Sequence, residues 1–165
     1  LQDSESKTSQ ENLKEITAKI VTERRQALRQ NNQTLHIELA DEWPPMTVDR
    51  RRIELALGAI LDNAIKFTPS GGEITLSGEQ SAGEFSLTIS DNGPGIAPEE
   101  MGKIFEKFYQ VDPNHTGQIR GFGLGLFYAR QFVRDHGGEI NLESSLGHGT
   151  SVTVRLPRPA LRQSD

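Results

Sequence analysis

Cysteine is absent from the 165 residues. That excludes disulfide scaffolds, thiolate metal sites and cysteine nucleophiles, and it fits a reducing, cytoplasmic setting. Positive charge is also short: 18 Lys and Arg stand against 23 Asp and Glu, for a net charge of −5. A chain with that balance lacks the field of a sequence-independent nucleic-acid binder. Apolar runs stop after a few residues, far short of the roughly 20 that cross a bilayer. The polar opening LQDSESKTSQ has no signal-peptide core, so this stretch is expected to make no membrane contact. Glycine is nearly missing from the first 70 positions: of 16, all but Gly58 fall at position 71 or later. Glycine clusters let backbone approach a ligand, so function is sought in the second half.

The length fits one compact domain. Residues 1–12 are expected to be a polar leader, the end of an upstream segment, and residues 158–165 a disordered tail. Between them, Leu13, Ile16, Ile20, Ala27 and Leu28 have helical spacing and predict a helix over 13–30. Leu35, Ile37 and Leu39 alternate, which predicts a strand over 34–40 with one buried face. Asp49 is placed to cap a second helix, whose apolar set Ile53, Ala56, Leu57, Ile60, Leu61, Ala64 and Ile65 follows the i, i+3, i+4, i+7 pattern. Two alternating segments, 73–80 and 84–91, predict an antiparallel hairpin. A long irregular stretch follows to about residue 122, with one short helical piece over 99–105. A third main helix is expected over 123–136, ended by Gly137 and Gly138, then strands over 139–144 and 150–156. This order implies an α/β two-layer sandwich, a mixed, mostly antiparallel sheet with helices on one face and a wetter opposite face.

Three segments carry candidate chemistry. Ala59, Asn63 and Lys66 share a flank of the second helix, where an amide oxygen can serve Mg²⁺ and an ammonium can neutralise phosphate. Asp91, at a strand end before Asn-Gly-Pro-Gly, is a fixed acceptor suited to an exocyclic amine. Gly121-Phe-Gly-Leu-Gly125 runs into a helix, so its amides face an anion. Its spacing differs from both the dinucleotide fingerprint and the Walker loop. Each segment alone is also what an ordinary helix flank or loop would carry.

Taken together, Asp62-Asn-Ala-Ile-Lys66, Asp91-x-Gly-x-Gly95, Phe105-Glu-Lys-Phe108, Gly121-x-Gly-x-Gly125 and Gly147-x-Gly-Thr150 resemble the N, G1, F, G2 and G3 boxes of the sensor histidine kinase catalytic domain. That domain is a branch of the superfamily that includes gyrase, MutL and the heat-shock chaperone, and the match covers about residues 13–157. The resemblance implies a Bergerat ATP-binding fold holding ATP and Mg²⁺ under a lid at about 97–122. It implies transfer of the γ-phosphate to a histidine on an upstream dimerisation and phosphotransfer domain, in a parent that is a homodimer served by a response regulator. By position, Asn63 resembles the magnesium ligand, Asp91 the adenine reader, and Gly93, Gly95 and Ile96 the loop against the base. Lys66 and Arg120 are similar to phosphate-facing cations, and Gly121, Gly123, Leu124 and Gly125 to the lid end. Phe105 and Phe108 match the lid anchors, Tyr109 falls near the nucleotide, and Thr150 supports the sheet and hinge.

The sequence departs from the family at Ala59, where many kinases have Asn and the water-splitting relatives an acid. Alanine cannot activate water, which argues against a gyrase-like hydrolase. An anti-sigma-factor type serine kinase and a nucleotide-binding module without phosphotransfer are the competing readings. None of His36, His115, His136 or His148 has the acceptor context of His followed by Glu or Asp and then Pro, so the acceptor is expected upstream.

Overall fold

The computed structural model describes residues 7–40, 43, 45–81, 83–106 and 125–158. Asn12 opens the first helix, α1 (Leu13–Gln30), its side chain accepting from the Lys14 amide at 2.8 Å. Leu13, Ile16, Ile20 and Leu28 fall on its buried face, as their spacing requires. Asp49 caps α2 (Arg50–Phe67) through the Arg52 amide at 3.2 Å, and the full expected apolar set of α2 is buried. Full burial of one such Leu or Ile side chain contributes about 1.5–3 kcal/mol.

Strands β2 (Thr34–Glu38), β4 (Glu73–Gln80), β5 (Glu84–Asp91), β6 (Glu139–Ser144) and β7 (Thr150–Pro157) form one sheet in the order β2-β4-β5-β7-β6. The β2–β4 pair is parallel and the other pairs are antiparallel, so the mixed sheet is the one expected. Ile74, Leu76, Leu87, Ile89, Val152 and Val154 point to one face and join the buried cluster with α1, α2 and α4 (Gly125–Asp135). On the opposite face, hydroxyls pair instead: Thr88 with Thr153 at 3.0 Å and Ser90 with Ser151 at 2.8 Å.

Three details differ from the sequence expectation. Residues Ser9–Glu11, inside the expected polar leader, form a strand, β1, antiparallel to β3 (Met46–Val48). Three-residue strands show too little alternation to be read, and Trp43-Pro-Pro45 hides β3 behind breakers. Ile37 is 45% exposed because β2 is an edge strand, and the strand stops at Glu38 rather than residue 40. The helical piece after the G1 loop is α3 (Pro98–Met101), shorter than 99–105, with proline opening its first turn. The third main helix is described from Gly125 to Asp135; its expected residues 123 and 124 lie outside the described residues.

The three consecutive arginines at the start of α2 oppose the helix dipole, and two of them have acidic partners within the chain. Arg50 pairs with Glu11 at 3.0 Å and Glu54 at 3.1 Å, and Arg52 reaches Asp135 at 3.4 Å. His136 ties the same corner together. Its Nε2 accepts from the Asp49 amide at 2.9 Å and its Nδ1 lies 2.7 Å from the Phe132 carbonyl, which fixes Nδ1 as the protonated nitrogen. This histidine is therefore structural.

Candidate functional site

The site forms where the C-terminal half of α2 faces the end of β5. Asn63 projects from α2 half-buried, Asp91 ends β5, and Thr150 begins β7 directly opposite Asp91 in register. All three line one cavity of about 20 Å³, walled by Ile60, Ile89, Ile96 and Val152, with Ile104 and Leu126 completing it. That volume holds a single water molecule. Ile104 and Leu126 are the walls nearest in sequence to residues 107–124, which lie outside the described residues.

Burial pushes the Asp91 carboxyl above the ordinary carboxylate range, and hydrogen bonds from the Gly93 and Thr150 amides pull it back. The Gly93 amide donates to Asp91 Oδ1 at 2.9 Å. The result is a partly desolvated acceptor at the end of β5, where a hydrogen bond to a ligand is stronger than in water.

Two glycines make the backbone around Asp91 possible. Gly95 has φ of 78° and a Cβ there would overlap the Ser145 carbonyl; Gly149 has φ of 80° and a Cβ would overlap the Asp91 carbonyl. Both the positive φ and the lack of room require glycine. The G1 loop and the 145–149 turn are thus packed backbone to backbone, with the Gly147 amide donating to the Pro94 carbonyl at 2.8 Å.

The structure brings Asn63, Asp91, Ile96 and Thr150 to one cavity, and Gly93 and Gly95 lie in the loop that runs from Asp91 to Ile96. Lys66 is exposed at the last turn of α2, outside the cavity wall. Gly125 starts α4 beside Ala59, where a Cβ on Gly125 would stand 3.4 Å from the Ala59 Cβ. Arg120, Phe108, Tyr109, Gly121, Gly123 and Leu124 lie outside the described residues, as does His115. Phe105, expected as a lid anchor, packs partly buried on the core, with the Arg130 guanidinium 5.0 Å above its ring. Ile104, Leu126, Leu142 and Ser144 were not singled out by the sequence. The apolar three are ordinary core letters, and Ser144 is marked only by lying shortly before Gly147-x-Gly149.

Among the described residues no group of three or more His, Asp or Glu could hold a metal by itself. Asn63 offers one neutral oxygen, a donor set that fits Mg²⁺ only as a partner to phosphate oxygens and water.

The profile of the family described as histidine kinase-, DNA gyrase B- and HSP90-like ATPase matches residues 48–160. Sensor protein SrrB of Staphylococcus aureus strain MRSA252 is 40% identical over 113 residues, 68% of this chain and 19% of SrrB. The chain thus spans about a fifth of the length of the curated relatives it matches. A mycobacterial sensor histidine kinase, MprB, is similar with a TM-score of 0.78 and 28% identity, over 93% of this chain and 99% of that one. The catalytic domain of histidine kinase ThkA in a nucleotide-free form has a TM-score of 0.79 and 27% identity, over 92% of this chain and 98% of its own. ThkA in complex with response regulator protein TrrA shares the fold at a TM-score of 0.77 and 24% identity, covering 94% of this chain and 43% of that one.

Proposed function

The chain belongs to the histidine kinase-, DNA gyrase B- and HSP90-like ATPase family and is a catalytic domain homologous to those of sensor histidine kinases; from that premise we propose that it binds Mg-ATP and passes the γ-phosphate to a histidine on an upstream dimerisation domain. The observation that carries this reading is the convergence of Asn63, Asp91 and Thr150 on one cavity, beside backbone that only glycine at 95 and 149 allows.

In this reading Asp91 accepts a hydrogen bond from the exocyclic amine of adenine, and the Gly93–Gly95 backbone lies against the base. Asn63 would hold Mg²⁺ through its amide oxygen, and the ion, when bound, would neutralise phosphate charge. Lys66 adds positive charge from the exposed flank of α2, and Arg120 does so from the glycine box. By their match to the family's boxes, Gly121, Gly123, Leu124 and Gly125 are assigned to the lid end, Phe108 to anchoring the lid, and Tyr109 to the neighbourhood of the nucleotide. The chain provides positioning and charge complementarity. The acceptor imidazole attacks the γ-phosphorus with its lone pair, the bond to the β-phosphate oxygen breaks, and ADP leaves. Ala59 has no proton acceptor, so water gains no base there and transfer to the imidazole competes against little hydrolysis.

The parent protein is proposed to be a homodimer, with this domain in the cytoplasm, that hands its phosphoryl group to a response regulator; ThkA is known in complex with the response regulator protein TrrA. Asn63→Ala tests the nucleotide site. Calorimetric titration should show magnesium-dependent ATP affinity lost with thermal stability retained, and unchanged affinity would refute the assignment.

A further inference from the structure

Ser144 ends β6 with its hydroxyl among three polar neighbours. Its Oγ accepts the Ile96 amide proton at 2.8 Å, donates to the Gly149 carbonyl at 2.9 Å, and lies 2.8 Å from Thr150 Oγ1. A serine hydroxyl has one proton and two lone pairs. The Gly149 carbonyl can only accept, so it takes that proton. The Ile96 amide fills one lone pair. The third contact then has a single solution: the Thr150 hydroxyl donates into the remaining lone pair of Ser144.

Thr150 is buried and lines the cavity beside Asp91. With its own proton committed to Ser144, it has only lone pairs left for a ligand. The Asp91 carboxylate is likewise an acceptor, its other hydrogen bonds coming from backbone amides. We propose that Ser144 is a positioning residue that sets the polarity of Thr150, so that the Asp91–Thr150 wall offers acceptors alone and selects a purine carrying an amine at position 6 over one carrying a carbonyl.

The inference rests on the nucleotide reading above and deepens it. A 6-amino group has two protons to give to that wall. A 6-carbonyl brings lone pairs against lone pairs, and an acceptor left buried without a proton is penalised. Removing the Ser144 hydroxyl frees the Thr150 proton to rotate into the cavity and meet a carbonyl. Ser144 also joins the G1 loop at Ile96 to the turn at Gly149, so a purely structural role must be separated from the polarity role.

The test measures dissociation constants for ATP and inosine 5′-triphosphate by calorimetry in the wild type, Ser144→Ala, Thr150→Val and the double variant, with thermal melting alongside. The wild type should favour ATP. Ser144→Ala should lower the ATP-to-ITP preference by about fivefold or more, the worth of one hydrogen bond. In the Thr150→Val background the same serine substitution should leave the preference unchanged, because the group it acts through is gone. Ser144→Thr, which keeps a hydroxyl, should restore the wild-type ratio. An unchanged ratio in Ser144→Ala, or an equal drop in the Thr150→Val background, overturns the inference. Should Ser144→Ala fail to fold, Thr150→Val alone decides: it must narrow the preference, and an unaltered ratio refutes the role of Thr150. A wild type that binds neither nucleotide brings down the nucleotide reading itself.

Discussion

Replacing Asp91 by Asn separates two consequences of burying one carboxylate. Asn keeps an oxygen for the Gly93 amide but has no charge, and it brings an NH2 group into the cavity. Hydrogen bonds to charged groups contribute about 1.5–3 kcal/mol. At about 1.4 kcal/mol per tenfold, ATP affinity should fall roughly ten- to a hundredfold, while GTP, whose 6-carbonyl can accept from the new amide, should gain. Stability should move the other way. Burial holds the Asp91 carboxyl above the ordinary range, against the Gly93 and Thr150 amides. The unfolded chain therefore releases this proton at lower pH than the folded one, and the contribution of Asp91 to stability declines as pH rises through the carboxylate range. Asn has no such dependence. Urea melts should find the Asn variant at least as stable as the wild type at neutral pH, with its advantage shrinking as the pH is lowered through that range. Parallel titration of both proteins with ATP and GTP completes the assay. An advantage that grows in acid, or an unaltered ATP-to-GTP preference, would refute the reasoning.

Asp49 should show the opposite sign. Burial raises its carboxyl, but the Arg52 and Lys7 amides and the Arg52 charge outweigh that and hold it below the usual range. Its contribution is thus present above the unfolded pKa and lost as pH falls through the folded one. Asp49→Ala should cost about 1 kcal/mol at neutral pH, the typical worth of a helix cap, and the difference from wild type should vanish in denaturant melts at acid pH. Gly149→Ala forces a Cβ against the Asp91 carbonyl at positive φ. It should cost about 1–3 kcal/mol of stability and weaken ATP binding in calorimetry, because the Gly149–Thr150 backbone also sets Asp91.

What the sequence displays depends on how long each pattern runs. α2 repeats its apolar spacing over eighteen residues and carries a visible cap at Asp49, so both helix and boundary could be read. β4 and β5 alternate for eight residues each and pair as a hairpin across Ser81. β1 and β3, three residues each, depend on pairing with one another although α1 and β2 lie between them in sequence. No local pattern reports such a contact. The exposure of Ile37 follows from the edge position of β2, a property of topology rather than of alternation.

The same holds for the site. Asn63 stood out on a helix flank beside Lys66, and Asp91 and Thr150 beside glycine pairs, in boxes that together match a known constellation, and the fold brings all three to one cavity. Ser144 did not, since its importance lies in three hydrogen bonds made by one hydroxyl, two of them to backbone atoms brought close by glycines at positive φ. Ile104 and Leu126 close the cavity through packing alone, and any apolar letter in a helix or loop would look the same in sequence.

The central claim is a division of labour in which this chain holds the nucleotide and another segment supplies the acceptor. The direct measurement is incubation with γ-labelled ATP and magnesium, once with the chain alone and once with the upstream dimerisation segment of its parent added in trans. The chain by itself should take little label and hydrolyse ATP slowly, and an acid-labile, base-stable phosphoryl group should form on the added segment. Stoichiometric label on His36, His115, His136 or His148 of this chain would contradict the claim.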